Sequence, residues 1–476
     1  MGLARKIALA VGTCGLAAAT AGTAALTVTT AGGPAPGSAA ALADVTVRPD
    51  AVRVGTTHSG GPTSTAQCEQ QFHLDCYTAA QLRQAYDLPA LYARGITGRG
   101  TTIAIVDSFG SPTIKHDLGV FDKAFHLPAP PSFRIIQPAG KVPPFSKTND
   151  GMLGWAAETT LDVEWAHTVA PAANILLVET PVDETEGVQG FPQIVAAEEY
   201  VLKHYHVDVI SQSFSATEQT FPSKAVVDAL RGAILLAAKD HVTMIASSAD
   251  DGAANTELNG STYYTYPTTT WEPSDPLVTG VGATQLHLNA SGHHTAPDSV
   301  WNDTYNKAAQ EFICGTAGPC PSASGGGKSV LFARPSYQNG VANVVGDARG
   351  VPDISMSGAC DGAVDLYASF PGVPAGWGQE CGTSEATPEF AGIVALAAQY
   401  AGHPLGLINP ALYQMSEAGE PGIVPVTKGN NTVTFKQNKR WYTVHGFQAR
   451  PIYSLAAGVG TVDAYYFVPE LANLAG

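Results

Sequence analysis

Two carboxyl groups lie one helical turn apart in the segment from 154 to 169. At 100° per residue, Glu158 and Asp162 share a narrow stripe with Trp165 and Val169. A solvated stripe would have polar companions, so these apolar neighbours indicate that the two carboxyls are at least partly buried. Buried carboxyls at this spacing share a proton and titrate in separate steps. The pattern therefore predicts acid–base chemistry.

A serine at the start of a second helical pattern is the candidate nucleophile. Ser384 follows small residues and precedes a helical repeat that continues to Tyr400, with Pro388 in the first turn. Unpaired N–H groups and the positive end of the helix dipole favour an alkoxide or oxyanion there. By itself, a serine at this position is more typical of a helix N-cap than of a nucleophile.

A third chemical feature ends the apolar run that begins at Ile245. This run closes with Asp250, Asp251 and Gly252. At the carboxyl edge of a parallel sheet, an aspartic acid that keeps its proton can donate a hydrogen bond to an oxyanion. An Asx turn or a helix cap would also account for an Asp-Gly pair.

Alternating strands and helices must position these groups. The apolar run 101–107 predicts a buried strand that ends at Asp107, where ligands collect in α/β sheets. The same periodicity predicts a series of further elements along the chain: helices 78–92, 154–169, 191–204, 223–240, 384–400 and 462–474, and strands 174–179, 207–211, 243–247 and 277–281. This order predicts an α/β fold with a mostly parallel central sheet and helices on both faces. The segment 290–350 reads as an irregular, glycine-rich surface region.

Charge and composition narrow the function. The 476 residues include 25 Lys and Arg against 41 Asp and Glu, a net charge of −16, so nucleic acid is not an expected partner. Charged residues make up 14%, with 50 Gly and 33 Pro, which is typical of turn-rich exported proteins.

The N-terminus predicts export. Arg5 and Lys6 precede an Ala-rich apolar run, and an A-x-A pattern ends at Ala43, so residues 1–43 are expected to be a signal peptide. An uncleaved membrane anchor is the weaker alternative because the run is rich in Gly, Ala and Thr. Residues 44–75 read as a linker or short pro-segment, and residues 76–476 as a single domain. We expect a secreted, extracellular monomer with no membrane association after cleavage.

Six cysteines remain after that cleavage, and they occur as near neighbours in sequence: Cys68 and Cys76, Cys314 and Cys320, Cys360 and Cys381. In an exported chain this even number predicts three disulfides, although fifteen connectivities are possible. Zinc is less favoured because the paired C-x-x-C spacing is missing.

Three motifs together resemble the sedolisins, the serine-carboxyl peptidases of subtilisin-like fold. The motifs are Gly382-Thr383-Ser384 with Pro388, Glu158-x-x-x-Asp162, and Ala249-Asp250-Asp251-Gly252. A subtilisin would need a His-Gly-Thr helix, and none of the thirteen histidines is followed by Gly-Thr.

The resemblance covers residues 76–476 and implies a role for each matching side chain. Ser384 would be the nucleophile, Glu158 the general base, Asp162 its orienting partner and Asp250 the oxyanion donor. Four further residues would contact substrate: Ser213, Phe214, Gly325 and Gly326. Because Asp250 can donate only while protonated, activity is expected to be confined to acidic pH.

The chain also departs from the sedolisin pattern. Ala249 and Asp251 stand where the family usually has Gly and Ser, and Asp107, where a subtilisin has its catalytic Asp, is expected to be structural. The family's C-terminal calcium site lacks both of its carboxylates, since the corresponding positions are Pro425 and Ser454. We therefore expect no bound calcium, or only a weak site, and no cofactor.

These observations predict a secreted, acid-acting serine endopeptidase that hydrolyses proteins or peptides through an acyl-enzyme on Ser384. The first alternative is a catalytically inactive binding protein of the same fold. A disulfide-stabilised wall protein is a third possibility, favoured only by the Gly- and Thr-rich composition.

Overall fold

The computed structural model describes residues 52–315 and 318–475, and it gathers the apolar runs of the sequence into one central sheet. The strands, in chain order, are β1 Val52–His58, β2 Cys76–Tyr77, β3 Thr102–Ser108, β4 Phe133–Ile136, β5 Asn174–Thr180, β6 Val209–Gln212, β7 Ala216–Thr217, β8 Thr243–Ser247, β9 Thr270–Trp271, β10 Thr279–Gln285, β11 Ser299–Val300, β12 Gly327–Ala333, β13 Ala348–Val351, β14 Ile354–Ser357, β15 Ala363–Ala368, β16 Gly376–Cys381, β17 Ile423–Val424, β18 Val433–Gln437, β19 Arg440–Val444 and β20 Thr461–Val462.

The helices cover this sheet. In chain order they are α1 Thr65–Phe72, α2 Ala79–Ala85, α3 Leu88–Tyr92, α4 Ile114–Phe125, α5 Asp150–Val169, α6 Phe191–His204, α7 Lys224–Leu230, α8 Gly232–Lys239, α9 Lys307–Ile313, α10 Ala342–Val345, α11 Thr383–Ala401, α12 Asn409–Ala418 and α13 Ala464–Leu474. Short 3-10 helices add residues 218–220 and 336–341.

Eight strands form the central sheet, and its order is β11-β10-β8-β6-β3-β5-β4 with β14 also paired to β10. Every pairing is parallel except that of β10 with β11. Successive β3 residues face opposite sides: Ile103 and Ile105 pack with α5 and α11, whereas Ala104 and Val106 pack with α6 and α8. The predicted α/β architecture, with helices on both faces, is confirmed.

The N-terminal part of the described chain is more ordered than its composition suggests. Within the expected linker 44–75, strand β1 pairs antiparallel with β16, and α1 follows it. Hydrogen bonding to a strand more than three hundred residues away leaves no periodic signal in the local sequence. The predicted signal peptide, residues 1–43, lies outside the described residues.

Three other expectations differ in detail. The helix expected at 78–92 is divided at Asp87, which has a φ of +55°, and the one at 223–240 is divided at Arg231. The segment 290–350 contains α9, α10 and several strands, and its residues 322–327 are buried. Its glycines indicate close backbone packing rather than an irregular surface.

Three disulfides form, as predicted, and they join Cys68 to Cys76, Cys314 to Cys320, and Cys360 to Cys381. The last one anchors the end of β16 directly before α11. The described residues all belong to one compact unit. Among its described helices, none has the length and apolarity needed to cross a membrane.

Candidate active site

Helix α5 carries the predicted acid–base pair. Its N-terminus is capped by Asn149, whose side chain accepts a hydrogen bond from Met152 N–H. Glu158 and Asp162 are both fully buried. Glu164, on the opposite side of the helix, is buried as well and accepts a hydrogen bond from Tyr367 N–H. Side chains on all sides of α5 are therefore buried. Burial alone does not distinguish the stripe that carries Glu158 and Asp162.

Helix α11 carries Ser384 in its first turn and packs against α5. A Cβ on Gly392 would lie 2.6 Å from Val169 Cβ, so only glycine allows this close approach of the two helices. Ser384 is fully buried, and its hydroxyl has no hydrogen-bond partner within residues 52–315 and 318–475. The serine oxygen is thus not engaged as a helix cap.

Ser213 joins the two helices. It follows β6, and its Oγ donates a hydrogen bond to Asp162 Oδ1 at 2.7 Å. The same Oγ lies 3.4 Å from the main-chain oxygen of Ser384. The residue predicted to contact substrate therefore links the carboxyl pair to the nucleophile residue.

Asp107 is a third carboxyl near Glu158 and Asp162, and it lies on the central sheet. It ends β3, is fully buried, and interacts electrostatically with Asp162. Two buried carboxyls that interact this closely do not readily ionise together, so the Asp107–Asp162 pair favours holding a proton. Burial raises the pKa of Asp107 to about 7. Burial, followed by the negative charges of Asp107 and Glu158, holds the pKa of Asp162 well above its usual range.

This interaction places Asp107 beside the acid–base pair, and its structural role stays a prediction. The sequence did contain a signal, since an Asp at the carboxyl end of a central strand lies at the ligand-binding edge of the sheet. What the sequence could not show was that α5 places Asp162 against that position.

Asp250 lies directly beside the nucleophile turn. Its Oδ1 accepts hydrogen bonds from both the N–H and the hydroxyl of Thr383, each at 2.7 Å. Ala249, which stands in place of the family's glycine, has a φ of +75°, a conformation that favours glycine. The backbone before Asp250 is therefore strained, as is common where a side chain must be aimed.

The other predicted substrate-binding residues lie in packed surroundings. Phe214 is buried against Trp155, with ring centroids 6.2 Å apart. Gly325 donates its N–H to the main-chain oxygen of Ala249, and Gly326 packs against Leu455. The structure thus places Gly325 beside the Asp250 turn, and substrate contact by these residues stays a prediction.

The positions of the family's calcium ligands do not fit a calcium ion. Pro425 has no side-chain oxygen, and the Ser454 hydroxyl accepts a hydrogen bond from Ala457 N–H. Calcium needs several oxygen ligands that include carboxylates. The expectation that no metal binds here stays a prediction.

Comparisons with known proteins identify the family of this chain. A family model described as the subtilase family matches residues 151–414, which is more than half of the chain. Kumamolisin from Bacillus sp. (strain MN-32) is 28% identical over 393 residues, covering 81% of this chain and 62% of kumamolisin. The resemblance to sedolisins inferred from the motifs is confirmed.

Two further relatives define the extent of the match. Human tripeptidyl-peptidase 1 is 27% identical over 331 residues, covering 66% of this chain and 52% of that protein. The chain therefore spans less than two thirds of the length of kumamolisin and of human tripeptidyl-peptidase 1. Pseudomonas sedolisin, a serine-carboxyl proteinase solved with two molecules of pseudo-iodotyrostatin, superimposes with a TM-score of 0.66 at 22% identity over 84% of this chain and 99% of that one, which supports a shared fold.

Proposed function

This chain belongs to the subtilase family, and we propose that it is an exported serine-carboxyl endopeptidase that acts at acidic pH on proteins and peptides. The observation that carries the proposal is the Ser213 hydroxyl, which lies between Asp162 and the nucleophile residue Ser384. It connects a proton-sharing carboxyl pair to a serine whose own hydroxyl has no hydrogen-bond partner in the described part of the chain.

Peptide hydrolysis would take two steps. Ser384 Oγ attacks the peptide carbonyl carbon while Glu158 takes the hydroxyl proton, and Asp162 stabilises the protonated Glu158. Glu158 then protonates the departing amine as the C–N bond breaks, which leaves an ester on Ser384. Water attacks this ester with Glu158 again as the base, and the acid product leaves with Ser384 restored.

Asp250 would stabilise the oxyanion. Its position against Thr383 puts it at the turn that presents Ser384. Only a protonated Asp250 can donate a hydrogen bond to the oxyanion, so activity is lost as pH rises. Loss of the proton held by Asp107 and Asp162 would also lower activity as pH rises. The raised pKa values of both groups mean that they hold this proton more tightly than an exposed carboxyl would.

Export is part of the proposal. Three disulfides support an oxidising compartment, and the charged and apolar N-terminal run supports a signal peptide.

The test is cleavage of denatured protein at about pH 3 to 5 by wild type and Ser384→Ala. We expect the variant to lose at least about a thousandfold in kcat/KM, because the nucleophile is removed. Ser223→Ala is the matched control: Ser223 is an exposed residue at the N-cap of α7 whose side chain makes no cap hydrogen bond. It should keep full activity.

Two outcomes would contradict the proposal. Equal cleavage by wild type and Ser384→Ala would show that Ser384 is not the nucleophile. No cleavage by the wild type, in the presence of peptide binding, would favour the inactive binding protein instead.

A further inference from the structure

A cavity of about 170 Å³ opens at the carboxyl edge of the sheet, next to the end of β3. We call it the Glu179 pocket. Its walls include apolar side chains and three polar ones: Phe109, Phe145, Met152, Ser111, Gln137 and Glu179. Since a water molecule takes about 30 Å³ of liquid, the space fits one long side chain.

The polar end of this pocket is built around one carboxyl. Glu179 is 6% exposed, and its Oε2 accepts a 2.7 Å hydrogen bond from Gln137. Gly110, at a φ of +72°, lies so close to the other oxygen that a Cβ there would collide with it. Ser111, which is 4% exposed, has no hydrogen-bond partner for its hydroxyl among the described residues. The pocket therefore holds oxygen acceptors that lack a cationic partner in the described contacts.

The pocket is electrostatically joined to the acid–base pair. Glu179 on β5 and Asp107 on β3 are register partners, and the charge of Glu179 raises the pKa of Asp107 after the larger effect of burial. Asp107 in turn interacts electrostatically with Asp162, whose pKa it raises after the larger effect of burial. Four carboxyl groups thus run in a row from the pocket to the catalytic centre: Glu179, Asp107, Asp162 and Glu158.

The pocket is also within reach of a bound substrate. Met152 lines it and precedes Glu158 by six residues on α5, a rise of about 9 Å. An extended peptide advances about 3.3 Å per residue, so a side chain two or three residues from the scissile bond would reach the cavity.

We propose that the Glu179 pocket receives a basic side chain, lysine or arginine, of the peptide substrate. The proposal rests on the peptidase function above and specifies its substrate class. The ammonium or guanidinium group would meet Glu179 and Ser111, and the aliphatic stem would pack on Met152. The rings of Phe109 and Phe145 favour a cation over a neutral group.

The charged surroundings of Glu179 determine how this preference depends on pH. Asp107 is its charged neighbour on β3, and Lys141, next to the lining residue Val142, is exposed and does not line the pocket. Burial raises the pKa of Glu179. The carboxyl is therefore neutral at low pH, and the preference for a cation should increase as pH rises and the carboxyl ionises.

The experiment compares peptides that differ only in lysine or norleucine at one position, scanned across the scissile bond. At one position, wild type should favour lysine by about tenfold in kcat/KM near the upper end of its active pH range, and less at lower pH. Glu179→Gln should reduce that ratio to near one while still cleaving the norleucine peptide. Because the ratio is taken within one variant, any effect of the substitution on catalysis cancels.

Asp347→Asn, at a fully exposed carboxyl, is the control and should keep the preference. The proposal is wrong if no position favours lysine in the wild type, or if Glu179→Gln retains the preference.

A binding measurement separates this inference from the proposed function. Titration calorimetry on Ser384→Ala, with and without Glu179→Gln, should show tighter binding of the lysine peptide only when Glu179 is present. This difference in binding does not depend on whether Ser384 is the nucleophile. A failed turnover test together with Glu179-dependent binding would contradict only the peptidase function.

Discussion

Two pairs of buried carboxyls lie on neighbouring helices of this protein, and their sequence spacing is identical. Glu158 and Asp162 are four residues apart on α5, as are Glu385 and Glu389 on α11, and all four side chains are fully buried. Burial raises the pKa of Glu385, and burial followed by the charge of Glu385 raises that of Glu389. In spacing and burial the two pairs are alike.

The pairs differ in what they contact. Asp162 meets the Ser213 hydroxyl and the Asp107 carboxyl. Glu385 lies near Ser357, and the charge of Glu389 raises the pKa of Tyr86 after the effect of burial. Although Glu385 follows Ser384 directly in the chain, the helix turns it about 100° away from the serine. Spacing and burial favour proton sharing in both pairs, and the contact with Ser213 makes the α5 pair the candidate for catalysis.

The largest expected effect is on turnover. Glu158→Gln removes the general base and should lower kcat/KM by about 10³-fold at about pH 4, whereas Glu389→Gln should change it by less than about threefold. Circular dichroism and thermal unfolding should show both variants folded. An equal loss in both variants would mean that the two pairs cannot be distinguished by their contacts.

The second expected effect is on stability. The raised pKa values of Glu385 and Glu389 mean that the folded state holds protons that the unfolded state releases, so their contribution is retained at low pH and lost as pH rises. The double variant Glu385→Gln/Glu389→Gln should therefore melt several degrees higher than wild type near neutral pH and nearly the same below about pH 4.

Scanning calorimetry across this pH range is the measurement. Ser223→Ala should follow the wild-type curve. A double variant that is destabilised equally at every pH would show that the carboxyls contribute through packing and not through their protons.

The smallest expected effect is a pair of opposite shifts around Asp162. Asp107 raises the pKa of Asp162 and the Ser213 hydrogen bond lowers it. Asp107→Asn should therefore move the upper limit of the pH–activity profile to lower pH, and Ser213→Ala should move it to higher pH. The measurement is kcat/KM against pH, with Ser223→Ala as the unshifted control. Shifts in the same direction would show that the titration of Asp162 does not set the upper limit of the pH–activity profile.

Local patterns of the sequence determined the elements and their type. The bounds of α6, at Phe191–His204, and of β8, at Thr243–Ser247, agree with the sequence prediction because hydrophobic periodicity and apolar runs reflect interactions between near neighbours. The number of disulfides followed from an even cysteine count. The three motifs with their resemblance identified the family, and they named the candidate site residues.

Only the tertiary structure decided how these elements meet. It paired β1 with β16, placed Asp107 beside both Glu179 and Asp162, and brought the Ser213 hydroxyl between two helices. These contacts join residues tens to hundreds of positions apart, and they depend on strand order and on close approaches such as that at Gly392. The hydrophobic periodicity of one segment carries no information about contacts with residues so far away in the sequence. The contacts that distinguish two carboxyl pairs of the same spacing therefore exist only in the folded chain.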